Sequence, residues 1–174
     1  SVTVDLKTEA GVEAARDLLA RADVFVENVG YAVAERLGVG YEDLAPRNEG
    51  LVYASVKGYG RTGPLKEKPG LDLVLQAEAG LMSLTGPEGG PPVKVGQAIG
   101  DLTAGMFATI GILARLYERG TADGAAFTGK FDVGLFDASP AALDVDVPNS
   151  SMGGGGPRRP GATHLQPLPL PSCS

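Results

Sequence analysis

The 174-residue chain carries 15 basic and 21 acidic residues, and its net charge of -6 argues against a surface that grips nucleic acid or anionic lipid along its length. With 43% hydrophobic residues it is long enough for one domain with its own core. One cysteine, Cys173, and one histidine, His164, exclude an internal disulfide framework and the usual zinc ligand set within a monomer.

In chain order, short β-branched runs alternate with helical patterns. Residues 2–6 read as a strand, and Thr8 can cap a helix whose apolar residues Val12, Ala15, Leu18, Leu19 and Ala22 share one face. Residues 24–27 read as the next strand. Two short helices follow, 32–37 stopped by Gly38 and 41–45 stopped by Pro46. A third strand spans 51–57. The β-α-β-α-β order predicts an α/β domain with parallel strands, because parallel neighbours need helical crossovers.

The segment 58–70 is rich in Gly, Pro and Lys and reads as a loop, after which 71–84 reads as one helix. A long apolar helix is predicted over 98–119, with Gly100, Ala104, Ala108 and Gly111 forming a small-residue stripe suited to tight core packing. Residues 127–134 suggest a last strand and 135–143 a last helix. From residue 147 four consecutive glycines and repeated prolines leave too little apolar surface to offset the entropy of ordering, so 147–174 is expected to be a disordered tail beyond a domain at 1–146. The most apolar run, 102–116, is shorter than the ~20 residues of a spanning helix, and no signal-like leader opens the sequence. A soluble, cytoplasmic protein without membrane or nucleic-acid partners is expected.

Three constellations can carry chemistry. Val52-Tyr-Ala-Ser-Val-Lys-Gly-Tyr-Gly60 runs a strand into a glycine-flanked turn, the place where open α/β sheets bind ligands. There Lys57 could hold a phosphate and Tyr59 could offer a ring and a hydroxyl. Taken alone, the same Gly-Tyr-Gly is a plain loop turn. Val26-Glu-Asn28 ends another strand, with Arg36 one helix further on, and Asn28 alone reads as a turn residue or cap. Asp137, in Gly134-Leu-Phe-Asp-Ala138, is a carboxylate where a strand hands over to a helix, and alone it reads as an N-cap.

Together with Ser1-Val-Thr-Val-Asp-Leu-Lys7, Glu35-Arg-Leu-Gly38, Gly80-Leu-Met-Ser-Leu-Thr-Gly86 and Gly100-Asp101, these motifs make residues 1–145 closely resemble the family III CoA-transferases. The resemblance implies a partial Rossmann-like parallel-sheet CoA-transferase domain, followed by a long helix and the disordered tail. It also implies transfer of CoA between an acyl-CoA and a small carboxylic acid, with CoA as substrate and no tightly bound cofactor. Asp137 would attack the thioester to give a mixed anhydride, and Tyr59 would lie near the acyl group as a second catalytic residue. Asn28, Val29, Arg36, Leu37 and Lys57 would contact CoA, with Arg36 and Lys57 facing phosphates. Val29 stands where relatives often carry phenylalanine.

The family also contains α-methylacyl-CoA racemases, which need a histidine base. Leu71 occupies that position here, so transfer is favoured over racemisation, and Asp101 is expected to cap or orient the long helix. His164, in the tail, is a poor substitute. Relatives are much longer, which suggests a fragment of a protein that forms an interlocked homodimer. The Leu-Pro alternation from Leu165 suggests a frameshifted or chimeric end. A catalytically silent fragment that binds CoA weakly is the alternative.

Overall fold

The computed structural model describes residues 1–121, 129–141 and 159. The elements run α1 (Glu9–Leu19), β1 (Val24–Glu27), α2 (Val33–Arg36), α3 (Tyr41–Leu44), β2 (Val52–Lys57), α4 (Asp72–Glu78), α5 (Leu81–Leu84), α6 (Ile99–Thr121), β3 (Gly129–Gly134) and α7 (Leu135–Ala141). Apart from Arg159, the expected tail lies outside the described residues, as do the domain boundary at 146/147 and the outer ends of the last strand and last helix.

β2 is the middle strand of a three-stranded sheet in the order β1-β2-β3, parallel throughout, with Val24 opposite Val52 and Val52 opposite Gly129. A parallel strand covered on both faces carries a continuous apolar run instead of an alternation, and Val52, Tyr53, Ala54 and Ser55 are all buried. Tyr53 stands edge-on to Phe25 and to Tyr41, with ring centroids 5.3 and 5.9 Å apart. This half of the core adds Leu44 and Leu51 and is closed by Leu19 and Ala22. The other half gathers Tyr59, Leu75, Ala104, Leu135 and Ala138 where α4, α6 and α7 meet the carboxyl ends of the strands.

Thr8 caps α1 as expected, its hydroxyl oxygen accepting from the Gly11 amide at 3.1 Å. The run 2–6 is not a strand. No described strand lies beside it to satisfy its amides, and it closes in a turn in which Asp5 O accepts from Thr8 N at 3.1 Å. The single helix expected over 71–84 is two, because Gly80 sits at φ +86° and breaks the α4 path before α5 begins.

α6 packs against β2, β3, α4 and α7 through its small residues. Gly100, Ala104 and Ala108 are buried, and a Cβ on Gly111 would lie 2.7 Å from the Phe131 ring. This 23-residue helix contains an 18-residue stretch with a mean hydropathy of 1.4, enough in length and composition for a membrane span, which the shorter run 102–116 did not suggest. Its buried stripe is nonetheless used in packing against the sheet. The opposite face exposes Leu102, Met106, Phe107, Ile110, Leu113 and Tyr117. An apolar stripe of this kind, left open, drives association. The 174-residue chain alone is therefore expected to sediment as concentration-dependent oligomers. A monomer of constant sedimentation coefficient across micromolar concentrations contradicts this expectation.

Candidate functional site

The carboxyl ends of β1 and β2 are joined by a buried polar cluster. Glu27 Oε1 accepts from the Ser55 hydroxyl at 2.5 Å, and Glu27 Oε2 accepts from Lys57 Nζ at 2.6 Å and from the Val29 amide at 3.0 Å. Lys57 Nζ also donates to Val29 O at 2.5 Å. The two charged side chains are 5% and 4% exposed, so Lys57 neutralises a buried carboxylate, and its ammonium is already committed within the protein. Asn28 is exposed beside it and donates from Nδ2 to Val56 O at 3.2 Å.

The loop after β2 closes on itself at two glycines. A Cβ on Gly58 would lie 2.7 Å from Gly70 Cα, so the two backbones touch and neither position has room for a side chain. Within the loop, the Tyr59 hydroxyl donates to Glu78 Oε2 at 2.6 Å, Lys68 Nζ donates to Glu78 Oε1 at 2.5 Å, and the same ammonium lies 5.1 Å from the Tyr59 ring centroid. Tyr59 also stacks on Phe136 at 5.8 Å. Burial and then the Glu78 hydrogen bond push the Tyr59 phenol above its usual range, while the hydrogen bonds from Lys68 and Tyr59 hold the Glu78 carboxyl below its own. Arg61 forms an ion pair with Glu35 and lies 3.6 Å from Asp132, which ties α2 to β3 through the loop.

Between this loop and the strand ends lies a cleft of about 240 Å³. Asn28, Val29 and Lys57 line it, as do Tyr31, Lys66 and Asp101. Arg36 and Leu37 do not. Arg36 is exposed at the end of α2 and donates from Nη1 to Tyr31 O at 3.4 Å, and Leu37 is the half-buried residue that closes that helix.

Asp137 stands on α7 with its carboxylate between Gly134, where an added Cβ would lie 2.4 Å from Oδ2, and Gly60, where it would lie 3.7 Å away, so it sits at the end of the turn after β2. Asp101, exposed like Asp137, lines the cleft from the first turn of α6. The capping role expected of Asp101 belongs to Asp72, whose Oδ1 accepts from the Gly100 amide at 2.8 Å and whose Oδ2 accepts from Gln76 Nε2 at 2.7 Å. Burial, with the Asp72 charge adding to it, raises the Asp101 pKa above the ordinary aspartate value. Tyr31, Lys66, Glu78 and Glu27 were not singled out from the sequence. The only signal for Lys66 was the lysine content of the loop.

The pattern that defines CoA-transferase family III matches residues 1–170. The chain is 36% identical over 169 residues to succinyl-CoA:glutarate CoA-transferase of Mus musculus, covering 97% of this chain and 38% of that protein. It is 39% identical over 174 residues to acetyl-CoA:oxalate CoA-transferase of Acetobacter aceti, covering 98% of this chain and 43% of that one. A crystal structure of a CaiB/BaiF family protein from Brucella suis superposes with a TM-score of 0.87 at 35% identity, covering 91% of this chain and 41% of that chain. The chain thus spans about two fifths of the length of these relatives. A match to the family pattern over nearly every residue, joined to the parallel sheet and its carboxyl-end cleft, establishes that the chain belongs to CoA-transferase family III.

Proposed function

We propose that the full-length protein carrying this sequence transfers CoA from an acyl-CoA thioester to a small carboxylic acid, with Asp137 as the attacking carboxylate. The observation that supports this reading is that the Asp137 carboxylate lies beside Gly60, in the turn after β2 that leads from the cleft lined by Asn28, Val29 and Lys57. The Asp137 carboxylate oxygen adds to the thioester carbonyl and CoA leaves as thiolate, giving an acyl-aspartyl anhydride. The thiolate then takes the aspartyl carbonyl and releases the donor acid. An acceptor carboxylate displaces the thiolate to re-form an anhydride, and return of the thiolate to the acyl carbonyl completes transfer with no net proton change. Asn28 and Val29 hold CoA, and Lys57 supports the strand-end turn through Glu27. Tyr59 is fixed by Glu78 and stacks on Phe136 beside the cleft-lining Leu135. CoA acts as substrate, and a homodimer and a cytoplasmic setting belong to the same reading. The acids named for relatives, glutarate and oxalate, make small dicarboxylates the first acceptors to try.

The test is incubation of the full-length protein with succinyl- or acetyl-CoA and a panel of carboxylic acids, with product thioesters read by mass spectrometry. New acyl-CoA is expected, and hydroxylamine should trap an acyl group on Asp137. In deuterated water a 2-methylacyl-CoA is expected to take up no deuterium, because Leu71 has no base to offer. Rapid exchange without transfer would return the racemase reading, and a folded protein with neither activity would favour the silent one.

A further inference from the structure

Gly60, Gly134 and Asp137 converge where the turn after β2 meets the carboxyl end of β3: a Cβ on Gly134 would lie 2.4 Å from Asp137 Oδ2 and 3.2 Å from the Gly60 amide nitrogen. Two contacts bracket that point. On one side the amide of Phe136, next to Asp137 in α7, donates to Gly58 O at 2.9 Å. On the other, Arg61 follows Gly60 directly and places Nε 3.6 Å from Oδ1 of Asp132, two residues before Gly134 on β3. The guanidinium is also paired with Glu35 of α2, and Lys130 Nζ stands 3.9 Å from the same Glu35 oxygen. The Arg61 side chain is 17% exposed, and among the described residues its Nη1 and Glu35 Oε2 are buried without a hydrogen-bond partner. A partly desolvated ion pair that leaves a donor and an acceptor unmet adds little net stability. What it does fix is direction, since a guanidinium fork holds two carboxylates at set angles where an ammonium meets them as a point charge. Gly60 needs such a restraint, because at φ +77° it has no side chain of its own to hold the turn.

Resting on the reading of Asp137 as the attacking carboxylate, we infer that Arg61 is a positioning residue whose bridge from Glu35 to Asp132 sets the distance between the Gly60 turn and the nucleophile. The bridge acts through the backbone of the turn, and Arg61 itself touches neither the thioester nor Asp137. Reacting atoms must meet within about 3–3.5 Å, and a displacement of about 1 Å costs on the order of 100-fold in rate. Loss of the bridge therefore shows in the bond-making step and not in CoA binding.

The full-length protein and its Arg61→Gln, Arg61→Lys and Asp132→Asn variants are compared in steady-state transfer, thermal unfolding and amide hydrogen exchange. Asp132→Asn keeps the Arg61–Glu35 pair, so it tests the bridge even where Arg61→Gln fails to fold. Arg61→Gln is expected to lower kcat about 100-fold with the KM for acyl-CoA changed by less than about threefold, and to speed exchange of the Phe136 amide about tenfold while the strands exchange as before. Asp132→Asn should lower kcat about tenfold at an unchanged melting temperature, and Arg61→Lys should fall between the unaltered protein and Arg61→Gln. Unchanged kcat in Arg61→Gln and Asp132→Asn overturns the inference and leaves the transfer reading intact. Faster exchange across the whole sheet marks a structural role only and overturns it as well, as does a raised KM at constant kcat. Faster Phe136 exchange in a protein that transfers no CoA keeps the bridge and removes the transfer reading, and unchanged exchange without transfer removes both.

Discussion

Asp137→Ala is expected to lower CoA transfer by roughly 10,000-fold or more in the full-length protein, with CoA affinity changed by less than about threefold. A carboxylate that forms a covalent intermediate contributes to bond-making steps and little to the ground-state complex. Asp137→Asn should be as inactive as the alanine variant, since it keeps the shape of the side chain and loses the nucleophile. Asp101→Asn, changed at a residue without a covalent role in this reading, should retain most activity. The reverse pattern, with Asp101→Asn inactive and Asp137→Asn active, would move the nucleophile to Asp101.

Glu27→Ala is expected to destabilise the fold by about 3–5 kcal/mol in urea unfolding, because it leaves the Lys57 ammonium buried without its carboxylate. The Ser55 hydroxyl and the Val29 amide lose their acceptor in the same change. Pairing it with Lys57→Met should recover a large part of the loss, since the double variant buries no lone charge. A cost under about 1 kcal/mol for Glu27→Ala would mean that Lys57 does not depend on Glu27, and would restore its candidacy as a phosphate ligand.

What the sequence made legible was whatever depends on neighbours along the chain. Thr8 could be read as a cap because its partner amide is three residues on, and β2 because a buried parallel strand is a continuous apolar run. The small stripe on α6 announced its packing face by its own spacing. Misreadings arose where the deciding partner is distant. Residues 2–6 alternate like a strand, yet strand formation needs a neighbour that the pattern cannot supply. The pairing of Lys57 with Glu27, thirty residues earlier, likewise leaves no mark along the sequence. Asp72 and Asp101 are both plausible caps for α6 from type alone, and only the packing of α4 against α6 decides that Asp72 reaches the Gly100 amide.

The contact between Gly58 and Gly70 separates the chemistry of the loop from the architecture beneath it. Because the two ends meet backbone to backbone, residues 62–69, beyond the anchored Tyr59 and Arg61, form a cassette whose length and composition can be exchanged without shifting the register of β2 or the start of α4. Lengthening such a closed excursion costs only about 0.6 kcal/mol per doubling. Lys66, Glu67 and Lys68 all sit on it and all line the cleft. Loop grafts from relatives that keep both glycines offer a direct way to retune substrate preference while leaving the sheet untouched.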